Sequence, residues 1–122
     1  MEGDVMKFVF TSIVILVGLM SMCAATASEM PALAKKHACT DCHAIDRQIV
    51  GPAWMDVSKR YKSIIEYEYR GKKYPLEEGL VMKVSKGGSG NWGPTPMPIN
   101  DPFGTKQADI KELVQFILSL AK

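Results

Sequence analysis

The residues best suited to chemistry are two cysteines and a histidine in the run Cys39-Thr40-Asp41-Cys42-His43. Two thiols three positions apart can lie on one helical turn, so both can reach the two vinyl groups of a single haem and form thioether bonds. The adjacent histidine would then lie beneath the iron. C-x-x-C-H is the attachment sequence of c-type haem. The sequence therefore predicts one haem c (iron), covalently bound through Cys39 and Cys42, with His43 as an iron ligand.

Other uses of a cysteine pair fit this sequence less well. A disulfide is the usual pairing in an exported protein, but the spacing and the following histidine favour haem. A disulfide oxidoreductase places C-x-x-C at a helix N-terminus after a strand of a thioredoxin-like sheet, and that strand is missing here. A structural zinc site needs four ligands, and no second cysteine or histidine pair follows His43.

The sixth position of the iron needs a second ligand. Methionine fills it in haems of the Met/His type and raises the reduction potential. Met55 and Met82 lie on predicted helices, where methionine usually fills a core. Met97 instead stands between two prolines, which fix the backbone and present its side chain. We therefore predict Met97 as the sixth ligand, since His37 is too close to the attachment run to reach the other face of the haem.

The elements that position these residues are predicted to be mainly helical. Apolar spacing and capping signals predict helices over residues 29–37, 53–62 and 76–86, and a last helix with Thr105 as its N-cap. The core-facing stripe of that last helix is Ile110, Leu113, Val114, Ile117 and Ala121. Residues 44–52 and the proline-rich residues 91–104 are predicted to lack regular structure.

Residues 64–74 follow a different pattern, in which apolar or aromatic side chains alternate with glutamates. This period of two predicts a hairpin that turns at Arg70-Gly71. The glutamates should face water, and the body of the domain should be faced by Ile65, Tyr67 and Tyr69. Such a hairpin could support the haem pocket, or it could contact a partner through its basic turn.

The N-terminal segment predicts export. Residues 8–22 are almost wholly apolar, Lys7 precedes them, and Ala25-Thr26-Ala27 has the small-x-small pattern of a cleavage site. We predict a signal peptide over residues 1–27 and a mature domain over residues 28–122, with Met6 as a second candidate start. A retained membrane anchor is the alternative, although the apolar run is shorter than a bilayer span requires.

Length and charge limit the range of functions. The 122 residues suffice for one small domain, and a domain of this size needs a covalent or cofactor staple. The formal net charge of +2 is far below that of a nucleic-acid-binding domain.

The chain resembles the small monohaem class I cytochromes c of bacteria. The matching segments are residues 39–46, 50–53, 86–94, 96–100 and 116–120, in family order. The resemblance implies an all-α fold in which three to four helices surround one covalently bound haem, with residues 64–74 as a small hairpin insertion. It also implies that Cys39 and Cys42 bear the haem, and that His43 and Met97 are its axial ligands.

The resemblance further implies supporting roles around the haem. The carbonyl of Pro52 would accept a hydrogen bond from His43 and fix its orientation. Trp92 would donate its indole N–H to a haem propionate, with Arg47 as a second contact there. Asn100 would hydrogen-bond near the sulfur of the axial methionine.

With both axial positions filled, no substrate can bind the iron, so we predict an electron carrier and not an enzyme. The expected protein is a periplasmic monomer that exchanges single electrons with other periplasmic redox proteins and binds neither nucleic acid nor membrane. One alternative is a dedicated haem subunit of a periplasmic oxidoreductase complex, since tyrosine-rich surfaces are common at interfaces. Another is a haem enzyme or gas sensor in which Met97 leaves the iron.

Overall fold

The structure is a computed structural model that describes residues 27–122, so the predicted signal peptide lies outside the described residues except for Ala27. Four α-helices, a 3-10 turn and two small antiparallel sheets follow one another along the chain. The helices are α1 (Ala32–Lys36), α2 (Trp54–Tyr61), α3 (Leu76–Lys86) and α4 (Gln107–Ser119). The strands are β1 (Glu66–Tyr69), β2 (Lys72–Pro75), β3 (Gly88–Gly90) and β4 (Gly93–Met97), and the 3-10 turn is Cys39–Asp41. Across residues 27–122, no helix is both long and apolar enough to cross a membrane.

All four predicted helices are present. Helix α3 has the predicted bounds, whereas α1 and α2 are shorter than predicted at both ends. The predicted stripe of α4 is correct at its centre, where Ile110, Leu113 and Val114 are buried.

Thr105 is not the N-cap of α4, and that prediction was wrong. The helix begins at Gln107, and the buried carboxylate of Asp101 accepts hydrogen bonds from the backbone N–H groups of Thr105 and Lys106, at 2.9 and 3.1 Å. Burial acts to raise the pKa of Asp101, but the hydrogen bonds from Gln107 and these backbone amides outweigh it and hold the pKa below its ordinary value. An acidic side chain from the preceding loop therefore binds the first free N–H groups, the role expected of a local cap.

The predicted hairpin is confirmed, with one error. Strands β1 and β2 pair in register from Glu66 opposite Pro75 to Tyr69 opposite Lys72, and the turn residues Arg70 and Gly71 both have positive φ. Tyr67 and Tyr69 are buried as predicted, but Ile65 is 85 % exposed. Pairing ends at Glu66, so Ile65 lies before the strand, where alternation no longer fixes the side of the sheet.

The proline-rich segment contains a strand that the sequence did not predict. Strand β4 pairs with β3 through Gly88 opposite Met97 and Gly90 opposite Gly93, with an irregular step between the two pairs. Pro94 and Pro96 lie between the paired positions. Proline is tolerated there because a two-stranded sheet has an open edge that needs no N–H donor.

Two clusters of buried side chains form the core. One joins α2, the first hairpin, α3 and α4 through Tyr61, Tyr67, Tyr69, Leu80, Ile110 and Val114. The other joins α1, α2 and α4 through Ala34, Trp54 and Leu113. Helix α4 contributes to both clusters and connects them.

Polar contacts fix α1 against the start of α4. Lys36 Nζ and His37 Nε2 each lie 2.8 Å from Oδ2 of Asp109, in the first turn of α4. The hydrogen bonds from Lys36 and then His37 are the main causes that lower the pKa of Asp109. An ionised carboxylate at a helix N-terminus is also favoured by the helix dipole.

We expect Asp109→Asn to lower the melting temperature of the haem-loaded protein at neutral pH. Because the pKa of Asp109 is lower in the folded than in the unfolded state, its stabilising effect is present above the unfolded value of about 3.9 and is lost as the pH falls through the folded value. The difference in melting temperature from wild type should therefore shrink at the acidic end of a pH series. Asp46→Asn, at an exposed ion pair with Arg47, is the control, and an Asp109→Asn deficit independent of pH would contradict the assignment.

Candidate haem site

The attachment run folds as one tight turn. The backbone N–H of His43 donates to the carbonyl of Cys39 at 2.9 Å, and the N–H of Cys42 donates to the same carbonyl at 3.2 Å. Both cysteines are half-buried, are not joined by a disulfide, and line one cavity together with His43. Two thiols and an imidazole are thus presented to one space by five consecutive residues.

The thiol of Cys39 is not set up as a redox nucleophile. Burial is the main cause that raises its pKa, and this outweighs the smaller lowering effects of a backbone hydrogen bond and of Lys106. A reactive cysteine needs a lowered pKa, because the thiolate is the nucleophile. In residues 27–122 no three histidine, cysteine or acidic side chains form a metal-binding group.

The imidazole of His43 is held in one tautomer. Its Nδ1–H donates to the carbonyl of Pro52 at 2.8 Å, and a carbonyl can only accept. Nε2 is therefore the nitrogen that carries a free lone pair, as a metal ligand requires. Pro52 thus has the position in the structure that the resemblance implied.

Gly51 is a site residue that sequence reasoning missed. A Cβ atom at this position would lie 2.4 Å from Cε1 and 2.9 Å from Nε2 of His43, closer than atoms can approach. The backbone N–H of Gly51 also donates to the carbonyl of Cys42 at 2.8 Å. The loop therefore folds back so closely over the imidazole that only glycine fits.

The cavity has a volume of about 260 Å³ and lies between the two core clusters. Its apolar walls come from both of them, with Trp54 and Leu113 from one and Tyr67, Leu80 and Val114 from the other. Of the predicted site residues, the cavity brings together Cys39, Cys42, His43, Pro52, Trp92, Met97 and Asn100. Arg47 does not reach it.

The segment that carries Met97 is fixed to the end of α3. Met97 pairs with Gly88 in the small sheet, and the backbone N–H of Asn100 donates to the carbonyl of Ser85 at 3.2 Å. The side-chain amide of Asn100 donates to the carbonyls of Val84 and Pro98, at 3.0 and 3.1 Å. Through these bonds Asn100 anchors the Met97 segment, and its predicted hydrogen bond near the sulfur of Met97 stays a prediction.

Trp92 lies at the edge of the cavity and is 39 % exposed. The guanidinium of Arg60, on α2, lies over its ring at 4.4 Å and also donates to the carbonyl of Asn91 at 2.6 Å. This cation–π contact and hydrogen bond hold the indole in place. Sequence reasoning did not identify Arg60, because helix and loop are 31 positions apart.

Arg47, which was predicted to contact a haem propionate, does not reach the cavity, whereas Lys83 lines it. Arg47 lies in the exposed loop after His43 and pairs with Asp46 at 3.2 Å. Lys83, on α3, is the one lysine or arginine among the described residues that line the cavity. Burial, together with the positive charge of Arg70, lowers the pKa of Lys83. The structure thus places a partly buried positive charge at the cavity on Lys83, which no local sequence pattern singles out.

These residues fit a covalently bound haem. The cavity combines two thiols on one turn, an imidazole with a free Nε2, a thioether, apolar walls and a lysine. Haem offers the matching groups, namely two vinyls, an iron with two axial positions, an apolar macrocycle and two carboxylates. A disulfide, a redox-active cysteine pair or a zinc ion would each use only some of these features.

Comparisons with known proteins agree with this fit. The family model of cytochrome c matches residues 27–121. Cytochrome c-551 of Allochromatium vinosum is 44 % identical over 88 residues, which cover 72 % of this chain and 82 % of that protein. Cytochrome c-552 of Hydrogenobacter thermophilus is 41 % identical over 88 residues, 72 % of this chain and 78 % of that protein. The crystal structure of Nitrosomonas europaea cytochrome c552 superposes with a TM-score of 0.59 at 35 % identity, covering 72 % of this chain and 95 % of that one.

We expect Gly51→Ala to destabilise the haem-loaded protein by about 1–3 kcal/mol, the usual cost of forcing extra atoms into a packed site. The new methyl group must push the imidazole of His43 away from the Pro52 carbonyl. Denaturant unfolding measures the loss in the free energy of unfolding. The proton resonances of the His43 imidazole in the reduced protein should change position if the ring has moved. Ile49→Ala, at an exposed residue of the same loop that does not line the cavity, is the control. Unchanged resonances in Gly51→Ala would contradict the close packing.

Proposed function

We propose that this chain, which belongs to the cytochrome c family, is a periplasmic carrier of single electrons whose haem iron is bound by His43 and Met97. Family membership confirms the predicted class I fold and the predicted haem c, one per chain, bound through the cysteine pair Cys39 and Cys42. It also establishes electron transport as the general function. The axial ligands, the cellular compartment and the absence of catalysis are the finer points of the proposal.

The observation that carries the proposal is that His43 and Met97 line the same cavity and that the backbone around each is held by defined contacts. The Pro52 carbonyl accepts the Nδ1–H of His43 and leaves Nε2 as the nitrogen with a free lone pair. Pairing with Gly88 and the anchor at Asn100 hold the segment of Met97. A histidine and a methionine are the ligand pair that gives haem a high reduction potential.

The haem, when bound, supplies an iron that alternates between the ferric and ferrous states. The chain's own residues exclude water with their apolar side chains, orient the imidazole through Pro52, and supply the thioether. With both axial ligands in place there is no open position for a substrate. We therefore propose that the protein transfers electrons without chemical turnover.

The haem propionates, in this proposal, lie near Trp92 and Lys83. Trp92 has an indole N–H at the cavity edge, and Lys83 is the cation among the cavity-lining residues. A carboxylate and an ammonium group in a partly buried setting attract each other more strongly than they would in water. Arg47 pairs with Asp46 in the exposed loop and does not line the cavity. Lys83 is therefore the better candidate for contact with a propionate.

A freely diffusing monomer is favoured over a dedicated subunit of a complex. The argument for a subunit depended on a tyrosine-rich contact surface, but Tyr61, Tyr67 and Tyr69 are buried in the core. The partners we propose are other periplasmic redox proteins, which exchange electrons at the cavity edge near Val50 and Trp92. Both side chains are exposed there, at 53 and 39 %, and small contact areas are typical of electron-transfer encounters.

Cleavage of the signal peptide gives the first test of the cellular compartment. In the native host, the haem-bearing chain should be recovered from the periplasmic fraction with Ser28 as its first residue. Intact-mass measurement of that fraction and of the membrane fraction checks this. A chain that begins at Met1 or Met6 and is recovered with the membrane would instead support the retained anchor.

Removal of the proposed sixth ligand gives the second test. The ferric protein should show the weak near-infrared band of a sulfur–iron bond, and Met97→Ala should abolish this band and lower the reduction potential. Met97→Ala should also open the ferrous iron to carbon monoxide, which wild type should not bind at neutral pH. Met82→Ala, at a partly buried core position, is the control and should keep the band. Its loss in Met82→Ala, or carbon monoxide binding by wild type, would overturn the assignment.

A further inference from the structure

We propose that the hairpin β1–β2 is a positioning element for Met97, and that the hydroxyl of Tyr69 is the contact through which it acts. The inference rests on the proposed ligation of the iron by Met97. Tyr69 itself does not reach the iron site, since the cavity is lined by its neighbour Tyr67 and not by Tyr69. Its role would be to hold the backbone on which the Met97 segment rests.

The contact of Tyr69 is with the residue that ends α3. The side chain is only 5 % exposed, and its hydroxyl donates to the carbonyl of Gly87 at 2.9 Å in a buried setting. The N–H of Gly87 in turn donates to the carbonyl of Lys83 at 2.8 Å and closes the last turn of the helix. Gly87 is therefore held by hydrogen bonds on both its N–H and its carbonyl group.

Gly87 is packed directly against the backbone of the Met97 segment. A Cβ atom on Gly87 would lie 2.4 Å from the carbonyl oxygen of Met97 and 2.9 Å from the carbonyl carbon of Pro98. The φ of Gly87 is +68°, which also favours glycine. The next residue, Gly88, is the strand partner of Met97. A displacement of Gly87 must therefore displace Met97.

The hairpin is itself fixed against α3, so it can serve as a support. Tyr67 lies so close to Gly79, in the middle of α3, that a Cβ atom there would be 2.8 Å from the Cβ of Tyr67. The Tyr67 ring also packs edge-on against Tyr61, with centroids 5.6 Å apart. The guanidinium of Arg70 lies 5.1 Å from the centre of the Tyr69 ring and covers it at the turn. Tyr69 is thus held by the same hairpin that packs on the middle of α3.

Loss of the Tyr69 hydroxyl would leave the Gly87 carbonyl buried without this donor. An unsatisfied buried carbonyl favours states in which it reaches water. In the proposal, the carbonyl reaches water when the Gly87–Gly88 segment moves outward, and the pairing of Gly88 with Met97 carries Met97 with it. The expected effect is therefore a more frequent dissociation of the methionine from ferric iron, with the fold otherwise retained.

Cyanide binding to the ferric, haem-loaded protein measures this dissociation. At high cyanide concentration the binding rate becomes independent of cyanide, because it is limited by departure of the methionine. Tyr69→Phe removes one oxygen atom and should raise this limiting rate at least about fivefold, as the loss of one buried hydrogen bond implies. The near-infrared sulfur–iron band should persist at equilibrium, since the methionine still rebinds.

Tyr74→Phe is the matched control. Tyr74 lies in the same hairpin, opposite Tyr67, and the substitution removes a hydroxyl that does not contact Gly87. Its limiting rate should equal that of wild type. A wild-type rate in Tyr69→Phe, or an equal rise in Tyr74→Phe, would overturn the positioning role while the band in wild type still supported Met97 as the ligand. Absence of the band in wild type would instead remove the ligand assignment and this inference together.

Discussion

An apolar cavity of about 260 Å³ lies where a domain of this size would otherwise have the centre of its core. The two clusters of buried side chains share helices α2 and α4 and both contribute to the walls of this space, but they do not fill it. A small domain buries little of its surface and depends on a staple for stability. The covalently attached haem meets both needs, since it adds apolar contact area and is bonded to the chain at two points.

The two proposed iron ligands are held by different kinds of contact. His43 is fixed by contacts with residues no more than nine positions away along the chain, namely the turn at the cysteines, the approach of Gly51 and the carbonyl of Pro52. Met97 is fixed by contacts with α3, and through Gly87 with the hairpin. The histidine side of the site is therefore a local structure, whereas the methionine side depends on the packing of the whole domain. Changes in the packing around Met97 can therefore alter the reduction potential of the haem and the dissociation of the proposed methionine ligand. The covalent attachment at Cys39 and Cys42 is not affected by such changes.

The charged side chains form two groups with different roles. Asp101 binds the backbone that leads into α4, and Asp109, in the first turn of α4, binds Lys36 and His37; together they fix a helix that contributes to both core clusters. Lys83 and Arg60 are brought to the cavity and to Trp92 from α3 and α2. The first pair holds the framework, and the second pair supplies positive charge where the haem carboxylates are proposed to lie.

The sequence by itself determined the cofactor, its attachment and the main elements, because these are local properties. Two thiols and a histidine within five residues, the helical stripe of α4 and the alternation at Tyr67 and Tyr69 can each be recognised without knowing the rest of the fold. Tertiary structure alone decided that Asp101 and not Thr105 caps α4, that Ile65 faces water, and that Lys83 reaches the cavity whereas Arg47 does not. It also decided why glycine stands at 51 and 87, since each contacts atoms that only the folded chain brings close. Local spacing fixes which groups a segment can present, but the partner that each group meets depends on packing between segments distant along the chain.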